Sequence, residues 1–159
     1  MAIDSIPMTA EGKRKLEEEL KYLLSVERPK NIAAIEEARA HGDISENAEF
    51  DAAKERQGFL EGRIGELNSK IARAQIIDPA SIKSDKIVFG ATVTLEDEET
   101  ETKKTYQIVG VDESDIAKGK ISVSSPLAIA MIGKKQGDEV VVKAPKGNIT
   151  YAILSIEYK

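Results

Sequence analysis

Residues 50–74 read FDAAKERQGFLEGRIGELNSKIARA, and the spacing of their apolar side chains decides the architecture of the first half of the chain. Phe50, Ala53, Gln57, Leu60, Ile64, Leu67, Ile71 and Ala74 advance in alternating steps of three and four, the seam of an α-helical coiled coil. Gln57 is the single polar member of that seam and reads as a register-setting defect. A lone stripe must be covered by another. Upstream, Leu16, Leu20 and Leu23, then Ile32, Ile35 and Ala38, supply the facing stripe, with a phase shift around Pro29. Thr9 stands where an N-cap is needed, and Pro29 is expected to bend or interrupt the helix it falls in. A helix from about residue 10 to 41 spans roughly 48 Å at ~1.5 Å per residue. The turn falls near HGDIS at 41–45, where Gly42 suits a left-handed C-cap. So short a connection forces the two helices antiparallel and leaves an exposed tip.

The second half has a different composition. Residues 1–79 hold one Val, whereas residues 80–159 hold eight, and β-branched side chains favour strands. DPASIKSDK at 78–86 carries the breakers and turn residues of a linker, which gives a hairpin domain over 1–79 and a globular domain over 80–159. In the latter, IVFGATVTLED, KTYQIVGVD, KISVSS, DEVVVKAP and NITYAILSIEY read as strands, with EDEETETKK at 96–104 as an exposed hairpin turn. SPLAIAMIGK at 125–134 reads as a short helix, Pro126 in its first turn and Gly133 at its end. The expected class is α+β: an antiparallel coiled-coil hairpin, then a small antiparallel sheet.

Composition removes several functions. With 159 residues, 41% hydrophobic and 32% charged, the chain has the make-up of a globular protein. Aromatics amount to 4% with no Trp, so no stacking platform for single-stranded nucleic acid is on offer. The absence of Cys excludes disulfides, thiolate metal sites and cysteine nucleophiles, and one His excludes an imidazole cluster. Net charge is −5, which repels free nucleic acid and argues against autonomous binding to it. Most of that excess lies in the hairpin half, with 12 basic and 16 acidic residues, against 11 and 12 in the second half. MAIDSIPMTAEGK lacks the basic start and apolar core of a signal peptide, and LAIAMIG at 127–133 is too short to span a bilayer. A cytoplasmic location without membrane contact is expected.

The tip, AHGDISENAEFDAAKE at 40–55, concentrates the chemistry. Asp43 and Glu46 are three residues apart, so both carboxylates can share one helix face and a hard cation such as Mg²⁺. Such a pair cannot build a catalytic site alone, but it can complete another molecule's site by holding a metal and a water for in-line phosphoryl attack. The competing reading is structural. Asp43 and Glu46 also have capping-box spacing, with Ser45 and Asn47 as rival caps, and acidic residues favour a helix N-terminus anyway. His41 suits the C-terminal end of the first helix, and Arg39 and Lys54 read as solvated helix charges.

Taken together, IPMTAEG, KLEEEL, EARAHGDISENAEFDAAKE, FGATVTL, YQIVG and ISVSSPLAIAMIGKKQGDEVVV cover essentially the whole chain and resemble bacterial transcript cleavage factors of the Gre family. That resemblance implies a C-terminal domain similar to FK506-binding domains that docks on bacterial RNA polymerase near the mouth of its secondary channel. It implies a coiled coil that enters the channel, with Asp43 and Glu46 as the acidic pair that helps hold a second Mg²⁺ and position the attacking water. The polymerase then cleaves the 3′ end of the nascent RNA in backtracked, arrested complexes. The factor is no enzyme itself and holds no tightly bound cofactor; the Mg²⁺ is shared with the polymerase. Arg39 and Lys54 match basic positions that contact the RNA, and Phe50 matches an aromatic position that either packs the tip or contacts RNA or polymerase. Ser125, Pro126, Ala128 and Lys134 fall in the segment on the polymerase-binding side, with Lys135 a further candidate there. Ile129 departs from the family, which often has a basic residue at that position; it is either core or an apolar docking contact. A monomer is expected, since the hairpin satisfies its own seam. Two other functions stay open: a channel-binding regulator or inhibitor without cleavage activity, and a prolyl isomerase, for which Phe89, Tyr106, Tyr151 and Tyr158 offer a sparse pocket.

Overall fold

The computed structural model describes residues 5–42 and 47–159. Lys13–Ala74 form one compact unit, and Ser5–Gly12 with Gln75–Lys159 form a second. Composition changes near Pro79, but the spatial division comes earlier because the chain's start pairs with residues 74–77. Strand β1 (Ile6–Met8) lies beside β2 (Ala74–Ile76), Ile77 N donates to Met8 O at 2.9 Å, and Ser5 Oγ donates to Gln75 Oε1 at 3.2 Å. Three-residue strands are too short to leave a period in the sequence.

The first arm of the hairpin is one uninterrupted helical run. It comprises α1 (Ala10–Tyr22), a π turn (Leu23–Glu27) and α2 (Arg28–Ala40). Thr9 caps it as expected, its Oγ1 accepting from Gly12 N at 3.1 Å. Pro29 neither breaks nor ends the helix. In an α-helix its ring would clash with the Ser25 carbonyl and leave that acceptor without a donor, whereas the wider π turn takes up the strain. Arg28 N accordingly reaches back five residues to Leu23 O.

The π turn also corrects the expected stripe. It absorbs one extra residue, so the inward face steps by four three times in succession, through buried Leu23, half-buried Glu27, and buried Asn31 and Ile35. Ile32, expected in the seam, is therefore 47% exposed, and Asn31 is buried in its place. Leu16, Leu23, Asn31, Ile35 and Ala38 face Ala53, Leu60, Ile64 and Leu67 of α3 (Ala48–Ala72). Each fully buried Leu or Ile contributes roughly 1.5–3 kcal/mol. Asn31 Nδ2 donates to Ala53 O across the hairpin at 2.9 Å. Gln57, expected to be the polar register residue, is only half-buried and accepts from Lys54 Nζ on its own helix at 2.9 Å. The buried polar contact between the arms is thus made by Asn31.

Ion pairs line the outside of the hairpin. Arg63 holds Glu19 through two hydrogen bonds of 2.5 and 2.8 Å, and Arg28 holds Glu61 through two of 2.9 and 2.8 Å. The Arg63 guanidinium keeps the Glu19 carboxyl below its ordinary range, and Glu19 in turn raises Arg63. Tyr22 Oη donates to Glu27 Oε1 at 2.8 Å, which lowers Glu27 and raises the phenol.

The second unit is built on five strands: β3 (Thr92–Asp97), β4 (Lys103–Val109), β5 (Lys120–Ser122), β6 (Glu139–Ala144) and β7 (Gly147–Glu157), in the order β5-β4-β3-β7-β6. The expectation of an antiparallel sheet needs correction. β3 runs antiparallel to β4 and β7, and β6 to β7, but β5 lies parallel to β4. Between them, residues 110–119 make two 3₁₀ turns, at Val111–Glu113 and Ile116–Lys118, that carry the chain back alongside Gln107–Val109 of β4. Gly119 completes the reversal at φ +73°, with its Cα packed so near Thr105 O that a Cβ would stand 2.9 Å from that oxygen. The short helix α4 (Pro126–Met131) covers one face of the sheet, and Ala128 and Met131 join Ile87, Val93, Leu95, Ile108, Val140 and Ile153 in the core. No helix among the described residues is long and apolar enough to cross a membrane.

Candidate functional site at the hairpin tip

α3 starts at Ala48, and its N-cap is Asn47, with extended backbone at φ −93° and ψ 98°. The Asn47 Oδ1 accepts from Phe50 N at 3.1 Å. The other end of the same amide reaches across the neck of the hairpin: Nδ2 donates to Ala38 O, near the end of α2, at 2.5 Å. The capping role that competed for Asp43 therefore belongs to Asn47. Asp43, Ile44, Ser45 and Glu46 themselves lie outside the described residues.

Two further contacts close the neck. The Arg39 guanidinium sits over the Phe50 ring, 5.8 Å from its centroid, a cation–π pair that joins the end of α2 to the first turn of α3. His41 Nδ1 lies 3.0 Å from Glu49 Oε2. The last turn of α2 finishes with His41 N on Ala38 O at 3.2 Å and Gly42 N on Arg39 O at 3.4 Å, and Gly42 takes the positive φ of +114° expected of it. Lys54 projects one turn further down α3, held by Gln57. Arg39 and Phe50, weighed separately in the sequence, are thus brought together, and Phe50 is a half-buried packing residue at the neck.

Among the described residues no group of three or more His, Asp or Glu side chains could hold a metal ion. Glu49, the next carboxylate after Glu46, is already engaged by His41.

The second candidate surface surrounds α4. Ser125 caps the helix, its Oγ accepting from Ala128 N at 3.2 Å, and Pro126 is exposed in the first turn. Ala128 is fully buried in the core, so its side chain holds α4 onto the sheet and is not on the surface, whereas Pro126 and Lys134 are exposed and Ser125 is half-buried. Ile129 is 63% exposed, which excludes the core reading of that residue and leaves an apolar side chain on the open face of the helix. Lys135 Nζ pairs with Asp85 at 3.4 Å. The aromatics weighed for a prolyl-isomerase pocket are partly engaged: Tyr158 Oη donates to Lys86 O at 2.5 Å and accepts from Val88 N at 3.1 Å, while Tyr106 and Tyr151 pack against the core.

Sequence reasoning passed over Asn47 as one of several rival caps, and missed Asn31. Asn47 left a usable signal, since its position three residues before the seam residue Phe50 is that of a cap at the helix start.

Comparison with known proteins covers both units. Residues 6–76 match the family model described as transcription elongation factor, N-terminal, and residues 82–158 match transcription elongation factor, GreA/GreB, C-term. A protein of Syntrophotalea carbinolica named transcription elongation factor GreA is 58% identical over 154 residues, covering 97% of this chain and 98% of its own. Proteins of the same name from Pelobacter propionicus and Thermodesulfovibrio yellowstonii are 59% and 53% identical, and each alignment covers 98% of this chain and 98% or 99% of the relative. Among solved structures, the GreA factor homolog 1 (Gfh1) of Thermus thermophilus aligns at 26% identity over 96% of this chain and 99% of its own, with a TM-score of 0.43.

Proposed function

The chain belongs to the GreA/GreB family of transcription elongation factors, and from that premise we propose that it binds bacterial RNA polymerase and stimulates cleavage of RNA in backtracked complexes. The observation that carries this reading is the sequence AHGDISENAEFDAAKE standing at the end of a long, self-satisfied helical hairpin. A narrow two-helix arm suits insertion into the polymerase's secondary channel, and an acidic pair at its end suits delivery to a metal-dependent active centre.

In this mechanism the sheet unit docks near the channel mouth, through the surface around Ser125, Pro126, exposed Ile129 and Lys134. The arm carries Asp43 and Glu46 to the reacting phosphate. Their carboxylates would help hold a Mg²⁺ shared with the polymerase and would accept a hydrogen bond from the attacking water. The metal, when bound, lowers the pKa of that water and neutralises charge on the phosphate. The water oxygen bonds to phosphorus, giving up a proton to solvent, as the bond to the 3′ oxygen breaks and that oxygen takes a proton from solvent. The retained RNA regains a 3′ hydroxyl, and the 3′ fragment leaves with the phosphate. Arg39 and Lys54 would contact phosphate, which needs no base readout. The chain itself supplies too few ligands to hydrolyse RNA unaided, so the catalytic activity is the polymerase's own. This site of action also implies a cytoplasmic, monomeric protein.

The test is RNA cleavage in a backtracked bacterial polymerase complex with Mg²⁺ present. Wild type should release 3′ fragments, and Asp43→Asn or Glu46→Gln should lose that activity by about 10²-fold or more while still binding polymerase. Wild-type cleavage by either variant would sink the assignment of the acidic pair. Polymerase binding with no cleavage by the wild type would favour the alternative, a channel-occupying regulator.

A further inference from the structure

The Asn47 amide spends both of its ends on the hairpin neck. Its oxygen caps α3 at Phe50 N, and its nitrogen binds Ala38 O, the buried residue at the end of the opposite seam. A cap needs only the oxygen; Asp and Ser cap helices about as well as Asn. The second bond does nothing for α3. It ties the start of α3 to the end of α2 and so fixes the separation of the two points between which residues 39–46 are strung. The Arg39–Phe50 contact also joins α2 to α3.

We infer that Asn47 is a positioning residue for the acidic tip: its Nδ2–Ala38 bond sets the anchor points from which Asp43 and Glu46 are presented. This rests on the proposed role of that pair. The demand is physical, because a carboxylate that must complete a metal's octahedron at a distant active centre tolerates little displacement, and misplacement by an ångström can cost on the order of 10²-fold in rate. Substituting Asp or Ser separates the two duties. In Asn47→Asp the carboxylate would keep one oxygen for Phe50 N but turn the other against the Ala38 carbonyl. In Asn47→Ser the side chain is one atom too short to span the neck. Ala38 O would keep its bond from His41 N in either case, so no buried acceptor is stranded.

The experiment compares wild type, Asn47→Asp, Asn47→Ser and Asp43→Asn, each as the full chain, for thermal melting, polymerase binding and cleavage across a Mg²⁺ titration. Asn47→Asp and Asn47→Ser should stay folded, melting within several degrees of wild type, and half-saturate polymerase at the same concentration. At saturation they should cleave roughly tenfold to 10²-fold more slowly, with the half-maximal Mg²⁺ concentration raised several-fold. A merely structural cap would leave the Mg²⁺ requirement unmoved. If Asp43→Asn loses cleavage while both Asn47 variants match wild type at every Mg²⁺ concentration, the inference about Asn47 is overturned and the acidic pair stands. If Asp43→Asn cleaves normally, the acidic pair is wrong and the role of Asn47 falls with it.

Discussion

Asn31 and Asn47 are the two residues on which the hairpin turns, and both act by donating an amide hydrogen to a backbone carbonyl on the opposite arm. Asn31 is the costlier placement, because it occupies a seam position that Leu would fill. Ala53 O, its acceptor, lies inside α3 and belongs to the helix ladder, so removing the donor leaves no orphan. Asn31→Leu should therefore raise the melting temperature, whereas Asn31→Asp sets a carboxylate against a carbonyl in a buried site and should cost about 1–3 kcal/mol. Thermal denaturation of the two variants checks this, and a stabilised Asn31→Asp would rule out the buried hydrogen bond. Neither residue was legible in the sequence as anything more than a polar side chain on a helix or a rival cap. Side-chain type and spacing reveal which positions are apolar, but a polar residue that satisfies a distant carbonyl has no local signature. Thr9 was legible because its hydrogen bond closes within three residues.

At the level of elements, the buried seam of α3 was readable at Ala53, Leu60, Ile64 and Leu67, since a sustained seven-residue spacing fits neither a strand nor a loop, whereas Ala74, counted with it, lies in β2. The facing stripe was readable except at Ile32, because the residue inserted at the π turn hands that buried position to Asn31, while Ile35 and Ala38 keep theirs. The parallel placement of β5 was hidden for another reason: a three-residue strand shows no alternation, and its direction is set by two 3₁₀ turns and Gly119. The ion pairs that brace the arms give the hairpin a pH dependence with a defined sign. Glu19, Glu27 and Glu66 are all held below the ordinary carboxylate value, by Arg63, Tyr22 and Lys70 respectively as the leading partners. A depressed carboxylate contributes stability that is fully present above its unfolded value, about 4.3 for Glu, and is lost as pH falls through the lower folded value. Helical ellipticity should therefore melt at progressively lower temperature below about pH 4. Glu19→Gln should flatten that decline, modestly, because the Arg63 pair is largely solvated. An unchanged acid slope in Glu19→Gln would show that the pair carries none of it.

The whole molecule combines a net charge of −5 with a proposed role in RNA chemistry, and the two are compatible only if another macromolecule holds the RNA. Fluorescence anisotropy with a short labelled single strand at about 0.15 M salt should show no binding by the isolated chain, because the screening length there is about 8 Å and the surface charge is of the wrong sign. Micromolar binding to free RNA would reverse this reading. The contact between Tyr22 and Glu27 has an optical consequence as well. Without Trp, the chain's near-ultraviolet signal comes chiefly from four tyrosines, of which Tyr22 alone lies in the hairpin unit and Tyr106, Tyr151 and Tyr158 lie in the other. The hairpin is spectroscopically almost silent, carrying one phenol tied to a carboxylate. A single indole introduced as Phe59→Trp, at a position 69% exposed on α3, would be the only one in the protein, and its emission would report the surroundings of that arm against a nearly dark background.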